Sequence, residues 1–200
     1  GVVSENSDIS KVYKVISSEL PPTRLKPYEN ERQPTRQSLV LIGGDGNGYD
    51  YSEKDWYRLA FEFKNINSTF INSKRTPKFA WQNLKDNSGQ EHYHLDTENT
   101  DLQLFTKNLD EHSHIFVTAD STTRISEIIS RGYFINVIEM KGPIQYEMHH
   151  DFMQSLQEKG LLKIMRLDEL HLSENKYHGN VKKFVVTERD ALKSKLTKLL

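Results

Sequence analysis

Three polar loops, each following a run of apolar residues, carry the side chains most suited to binding an anion. The first spans residues 43–51 and begins GGDGNG, directly after Leu41 and Ile42, with four glycines in six positions. Glycine permits positive φ and close approach of a ligand to the backbone, and the start of the following helix would offer amides to an anion. The spacing matches neither the dinucleotide-binding GxGxxG pattern nor a Walker loop. A flexible turn built on Asp45 and Asn47 is an equally good interpretation.

The second loop, SKRTP at residues 73–77, places cations beside hydroxyl groups. The guanidinium of Arg75, together with the hydroxyls of Ser73 and Thr76, suits a diphosphate. From these residues alone, the alternative is favoured: Thr76 caps the helix that Pro77 begins, and the cations point to solvent.

The third loop lies within FVTADSTTRISEIISRG, residues 116–132, where an apolar run stops at small oxygen-bearing residues and becomes a helix. Asp120, Ser121 or Thr122 can cap that helix, which typically contributes about 1 kcal/mol. Capping does not account for Glu127, seven residues after Asp120 and close to the same helix face. A carboxylate there suits a pair of sugar hydroxyls, so the structural and functional interpretations stay equally open.

The elements that must position these loops alternate along the chain. The hydrophobic pattern predicts strands at 38–42, 68–72, 91–95, 114–118, 134–139 and 162–165. It predicts helices at 52–64 (with Ser52 as N-cap), 77–84, 100–109, 122–130, 146–159 (ending at Gly160) and 188–200.

Nearly continuous apolar strands that alternate with helices predict a parallel sheet covered on both faces. Right-handed crossovers then give an α/β fold, a Rossmann-like three-layer sandwich. Ligands of such sheets bind at the carboxyl ends of the strands. We therefore expect the loops 43–51, 73–77, 95–100, 119–122 and 140–145 to converge on a site.

The chain divides into two predicted segments. Residues 1–37 are interpreted as an N-terminal helix and an interdomain linker that would join the domain to an absent half, and this segment holds four of the six prolines. Residues 38–200 form the predicted nucleotide-binding domain, with the last helix packed on the fold or on an absent domain. Because the sequence starts with Gly1 rather than Met, we expect a fragment of a longer protein.

Composition narrows the function classes. A formal net charge of −1 argues against a nucleic-acid partner. The longest apolar runs, such as residues 39–42, are too short for an integral membrane segment, and the start of the chain lacks a signal-peptide pattern. A cytoplasmic location is therefore expected. The eight histidines form only pairs, His92 with His94 and His112 with His114, so we expect no metal site and no cofactor.

The three loops, in this order and spacing, resemble the mitochondrial-fission ELM-type family of plants and bacteria. The matching motifs are residues 41–44, 73–77 and 117–121, followed by Ser126, Glu127 and Gly132, and the resemblance covers roughly residues 12–165. Departures from the family pattern are Lys74 in place of Arg, Arg124 in place of an apolar residue, and Tyr133-Phe134 in place of Lys-Pro.

That family is in turn similar to the C-terminal, donor-binding half of GT-B glycosyltransferases, especially the enzyme that adds N-acetylglucosamine to make lipid II. The resemblance implies that Glu127 holds the ribose, while Ser121 and Thr122 face the diphosphate and the loop 95–100 approaches the base through its backbone. The other implied nucleotide- or phosphate-binding residues are Gly43, Gly44, Asp45, Gly46, Ser73, Arg75, Thr76 and Asp120. The implied donor-sugar contacts are Gln145, His149 and His150. No catalytic residue is identified.

The resemblance implies a metal-independent GT-B-like glycosyltransferase domain that binds a nucleotide-sugar donor and lacks its acceptor domain. The alternative is a non-catalytic module that binds a protein partner, because plant members of the family are associated with organelle fission. A third and weaker hypothesis is an isomerase or epimerase of nucleotide sugars, which would use the same donor pocket.

Overall fold

The computed structural model describes residues 18–21, 23–28, 34–89, 92–141, 147–170 and 178–198. These residues contain six strands, β1 to β6, that alternate with helices α1 to α5 and are followed by α6. The strands are Arg36–Leu41, Ser68–Ile71, Tyr93–Leu95, His112–Thr118, Ile135–Glu139 and Leu162–Arg166. The helices are Glu53–Phe63, Lys78–Asn87, Leu102–Glu111, Thr122–Arg131, Glu147–Glu158 and His178–Thr197.

The strands form one sheet in the order β3-β2-β1-β4-β5-β6, and every pair is parallel. This confirms the expected Rossmann-like α/β fold. The chain builds outward from β1 to β3 and then returns to place β4 beside β1, where Leu41 is in register with Val117. The strand order therefore reverses between β1 and β4, and such a switch point opens a crevice at the carboxyl ends of the strands.

The core lies on the central strands, whose side chains are buried on both faces. Residues of β2 are buried at every position, as are the last four of β1. Phe63 of α1 packs edge-to-face against Phe70 and Phe116, with ring centroids 5.7 and 5.3 Å apart. Offset and edge-on aromatic contacts of this kind stabilise a core beyond the area that they bury.

The start of α1 is fixed by a capping box. The Ser52 side chain accepts from the Asp55 amide, and the Asp55 carboxylate accepts from the Ser52 amide. The predicted N-cap at Ser52 is confirmed, and it determines where the preceding glycine-containing loop must end.

Helix α6 begins at His178, ten residues before the start predicted from the sequence at residue 188. The predicted boundary was therefore wrong. Val181 and Val185, one turn apart, are both buried, and α6 packs on α4. The β-branched run at Val185-Val186 and the glycine at 179 have poor helix propensity, so the pattern favoured a loop. Tertiary packing overrides that preference.

Part of the predicted linker packs onto the domain. Leu25 is buried, the Tyr28 ring stacks on Tyr133 at 5.0 Å, and the Tyr28 amide donates to the Arg131 carbonyl. The helix predicted near residues 9–20 lies largely outside the described residues, and Ser18 to Leu20 are not helical.

Candidate functional site

Three loops meet at the switch point because hydrogen bonds tie them together. The Thr76 hydroxyl donates to the Gly43 carbonyl at 2.6 Å, and the Gly43 amide donates to the Thr118 hydroxyl at 2.7 Å. The Asn47 side-chain amide donates to the Asp120 carbonyl at 2.7 Å. Thr76 does not cap α2, whose N-cap is Pro77 with no side-chain bond. The favoured structural interpretation of Thr76 was therefore wrong.

Asp120 lies completely buried at the centre of these loops. Its Oδ2 accepts from the Gly44 amide at 3.1 Å and from Arg75 Nη2 at 2.7 Å, while its Oδ1 is buried with no hydrogen-bond partner. Helix α4 has Ser121 as its N-cap and no side-chain cap. The capping interpretation of this loop is therefore wrong, because the Asp120 carboxylate faces the two other loops instead.

Burial and the neighbouring donors shift the pKa of the Asp120 carboxyl in opposite directions. Burial raises the pKa of the Asp120 carboxyl, against the opposing effects of the Thr118 hydroxyl, the Gly44 amide and the Arg75 charge. Arg75 also donates through Nη1 to the Asp45 carbonyl at 2.8 Å. With 43% of its side chain exposed, Arg75 places a cation across the mouth of the glycine-containing loop.

The glycines are required here for close contact between loops. A Cβ on Gly43 would lie 2.0 Å from Asp120 Oδ2, and one on Gly44 would lie 2.1 Å from the Arg75 carbonyl oxygen. The amides of Gly43 and Gly44 already donate to Thr118 and Asp120. These two amides thus bind protein oxygens. The predicted role of Gly43 and Gly44 beside a phosphate would therefore depend on their lack of a side chain, which lets a ligand approach the backbone.

A second network joins α4 to α5 through His149. His149 Nε2 lies 2.6 Å from the Ala119 carbonyl oxygen, so Nε2 must carry the proton. Nδ1 therefore accepts from the Thr122 hydroxyl at 2.8 Å, and the Asn47 amide donates to that hydroxyl at 3.1 Å. Burial lowers the pKa of His149 and favours this neutral tautomer. Both ring nitrogens are thus bonded within the domain.

The remaining predicted site residues occupy different surroundings. Glu127 is half-buried on α4, where its Oε2 accepts from Arg124 Nη1 at 3.0 Å. His150 is half-buried on α5, and Gln145 lies outside the described residues. In the second loop, the Ser73 amide donates to Thr76 and the Ser73 hydroxyl accepts from the Arg75 amide.

A small cleft lies at the ends of β1, β2 and β4. Gly43, Ser73 and Ser121, all predicted as site residues, line it together with Asn72 and Arg124. Sequence reasoning missed the last two. The signal for Arg124 was its charge in the first turn of a helix, where the dipole disfavours a cation.

The loop predicted to approach a base is held in one conformation by Asn72. The Asn72 amide donates to Asp96 Oδ1 at 3.1 Å, its oxygen accepts from the Thr97 amide at 2.6 Å, and Trp81 Nε1 also donates to Asp96 Oδ1. Asn72 therefore has both polar atoms engaged and serves as a brace between the cleft and this loop.

The described residues lack two other kinds of feature. They contain no cluster of three or more His, Asp or Glu side chains arranged to hold a metal ion. None of their helices is both long enough and apolar enough to cross a bilayer.

Comparisons with known proteins agree with the fold and the motifs. The family model described as "Mitochondrial fission ELM1" matches residues 14–187. No curated protein matches the sequence at a significant level.

Among solved structures, similar chains include two GT-B glycosyltransferases. MurG of Acinetobacter baumannii is 14% identical with a TM-score of 0.46, over 89% of this chain and 52% of that one. CalG4, the calicheamicin glycosyltransferase, is 12% identical with a TM-score of 0.52, over 84% of this chain and 46% of that one. YcaC of Pseudomonas aeruginosa is 11% identical with a TM-score of 0.44, over 86% and 98%. The likeness to CalG4 shows the fold alone, and the chain spans about half the length of the two glycosyltransferases.

Proposed function

The chain belongs to the mitochondrial fission ELM1 family, and from that premise we propose that it binds the nucleotide of a nucleotide-sugar donor as one half of a GT-B-like glycosyltransferase. The observation that carries the proposal is the start of α4, which has no side-chain cap and lies on the cleft at the switch point. Uncapped amides at the positive end of a helix dipole bind anions.

The diphosphate is assigned to the space between α4 and the glycine-containing loop. Ser121 and Gly43 line the cleft from these two sides. The Thr122 hydroxyl is committed to His149, so Thr122 would contact phosphate through its amide. Arg75, held across the loop by Asp45 and Asp120, would supply charge-assisted hydrogen bonds from its remaining N–H groups.

The ribose and sugar are assigned to opposite sides of the phosphates. Glu127 has one oxygen, Oε2, bonded to Arg124, which leaves Oε1 for a ribose hydroxyl. The donor sugar would lie near the start of α5, with Gln145 and His150 as contacts. His149 would act by positioning α4, since both its nitrogens are bonded to Ala119 and Thr122.

In transfer, the leaving diphosphate would be stabilised by the α4 dipole and Arg75 without a metal. The acceptor site and the base would come from another domain of the whole protein, because the chain spans about half the length of the GT-B enzymes it resembles. The domain alone is therefore expected to bind a donor and not to transfer its sugar.

The test is thermal unfolding with UDP, GDP, ADP and their sugar conjugates. A ligand at 100 times its Kd should add about 2.7 kcal/mol, which raises the Tm of a domain of this size by about 5 to 11 °C. We expect this shift with one nucleotide class, its loss in Glu127→Ala and its retention in Glu158→Ala, which removes an exposed carboxylate from the end of α5. The absence of any shift at millimolar ligand would refute the proposal.

A second candidate function, a non-catalytic protein-interaction module, is favoured by one surface. Tyr57 and Phe61 are one turn apart on α1 with 57% and 71% of their surface exposed, and exposed aromatic pairs are typical of binding surfaces. The double variant Tyr57→Ser/Phe61→Ser should then lose partner capture while keeping any nucleotide-induced Tm shift. Loss of the nucleotide shift instead would count against this module.

A further inference from the structure

Arg124 is held in the cleft in a fixed orientation. Its guanidinium carbon lies 4.4 Å from the centroid of the Phe105 ring, and Nη1 donates to Glu127 Oε2 at 3.0 Å. Phe105 is buried on α3, whereas Arg124 has 31% of its side chain exposed and lines the cleft. The guanidinium carbon therefore lies over an aromatic ring, and one guanidinium nitrogen is held by a carboxylate.

The position of this cation is locally unfavourable. Arg124 is the third residue of α4, whose first turn has no acidic residue, so its charge lies near the positive end of the helix dipole. A cation there typically costs a few tenths of a kcal/mol to about 1 kcal/mol. Local rules of this kind are most often broken where a residue serves a function.

We propose that Arg124 is a stacking platform for the base of the nucleotide, which would lie on the guanidinium face opposite Phe105. The inference rests on the proposed function and names the recognition element for the base. Guanidinium groups are planar and weakly hydrated, and they stack on aromatic rings. In RNA-binding proteins, nucleobases stack on the guanidinium planes of arginine side chains.

The neighbouring elements are arranged to place a base there. Phe105 lies in α3, directly after the loop 95–100 that was expected to approach the base. That loop is braced by Asn72, which also lines the cleft beside Arg124. A base on Arg124 would thus be bounded by the rigid loop on one side and would leave Glu127 Oε1 open to the ribose.

Arg124→Lys separates stacking from charge, since lysine keeps the cation and loses the plane. The probes are UDP, ADP and GDP, with ribose 5-phosphate and inorganic pyrophosphate as ligands that have no base, each titrated by calorimetry. We expect Arg124→Lys to weaken nucleotide binding about tenfold or more, in line with stacking contributions of single bases. Binding of the two baseless ligands should not change.

Two further variants keep the test decisive. Phe105→Leu keeps apolar volume under the guanidinium but removes the aromatic face, and it should weaken nucleotide binding in the same direction. Arg58→Lys makes the same chemical change on α1, where Arg58 pairs with Glu62, and it should change nothing. Ligand-free thermal unfolding of each variant reports whether the fold is kept.

The outcomes distinguish this inference from the proposed function. Unchanged nucleotide affinity in Arg124→Lys would overturn the stacking role and leave the proposed function standing. Equal weakening of nucleotide and pyrophosphate would also overturn it, because Arg124 would then be an anion contact. If the wild-type protein binds none of the nucleotides, both the proposed function and this inference fail.

Discussion

The carboxylate of Asp120 is buried at the end of β4, where it accepts hydrogen bonds from Arg75 and the Gly44 amide. A buried charge without a partner is strongly destabilising, so these two donors make its position tolerable. They come from the two other loops of the site. One residue therefore links the geometry of the glycine-containing loop to that of Arg75.

The raised pKa of Asp120 predicts a pH dependence of stability. Burial raises the pKa from its ordinary value of 3.8, so the folded state binds this proton more tightly than the unfolded state does. The resulting stabilisation is full below pH 3.8 and is lost as the pH rises through the folded-state pKa. The Asp120→Asn variant has no carboxyl group at this position, so its stability does not depend on this protonation. The free energy of unfolding of the wild type should therefore fall relative to that of Asp120→Asn as the pH is raised from about 4 to about 8.

Urea unfolding of both proteins at several pH values measures this difference and cancels the contributions of other groups. A wild type that gains stability relative to Asp120→Asn with rising pH would contradict the prediction. It would show that Arg75 and the Gly44 amide outweigh the burial of the carboxylate.

Single residues were the least predictable level from the sequence. The motifs predicted Gly43, Arg75 and Asp120 as site residues, but the hydrogen bonds that position Asp120 join positions 45 to 76 residues apart. No local pattern encodes such a contact. The same holds for His149, for which the family resemblance implied a sugar contact and whose ring is bonded to Ala119 and Thr122.

At the level of elements, predictability followed burial. Buried parallel strands read as continuous apolar runs, and all six predicted strands overlap those of the sheet. Helices with strong caps were also predicted, as at Ser52. Only the second half of helix α6 was predicted, because its first ten residues have poor helix propensity and are helical through packing on α4.

The register of α6 gives a matched pair of variants at adjacent positions. Val185 is 2% exposed and Val186 is 43% exposed, so Asp at 185 places a charge in the core and Asp at 186 places it in solvent. The helix propensities of the exchanged residues are similar. We expect Val185→Asp to lower the free energy of unfolding by about 3 kcal/mol or more and Val186→Asp by about 0.5 kcal/mol or less, measured by urea denaturation. Equal losses in the two variants would show that this part of α6 does not pack as described.

At the level of the whole molecule, the site follows from topology. A parallel sheet that reverses its strand order between β1 and β4 places the loops after these two strands on either side of one crevice. The sequence predicted this convergence because it depends only on element order and on right-handed crossovers. The strand order itself, and the cleft between Gly43, Ser121 and Arg124, needed the structure.

The N-terminal extent of the domain differs from the sequence-based prediction, which placed residues 1–37 outside it. Leu25 is buried and Tyr28 stacks on Tyr133, while Arg189 of α6 donates to the Leu25 carbonyl. A chain that starts at residue 34 keeps all six described strands but loses the contacts of Leu25 and Tyr28. A chain that starts at residue 18 keeps the strands and these contacts. Loss of one buried leucine side chain typically costs about 2 to 5 kcal/mol. The shorter chain should therefore unfold at a clearly lower urea concentration, with the same nucleotide specificity if it binds one. Identical unfolding midpoints would show instead that residues 18–33 are a linker that adds nothing to the domain, as the proline content alone suggests.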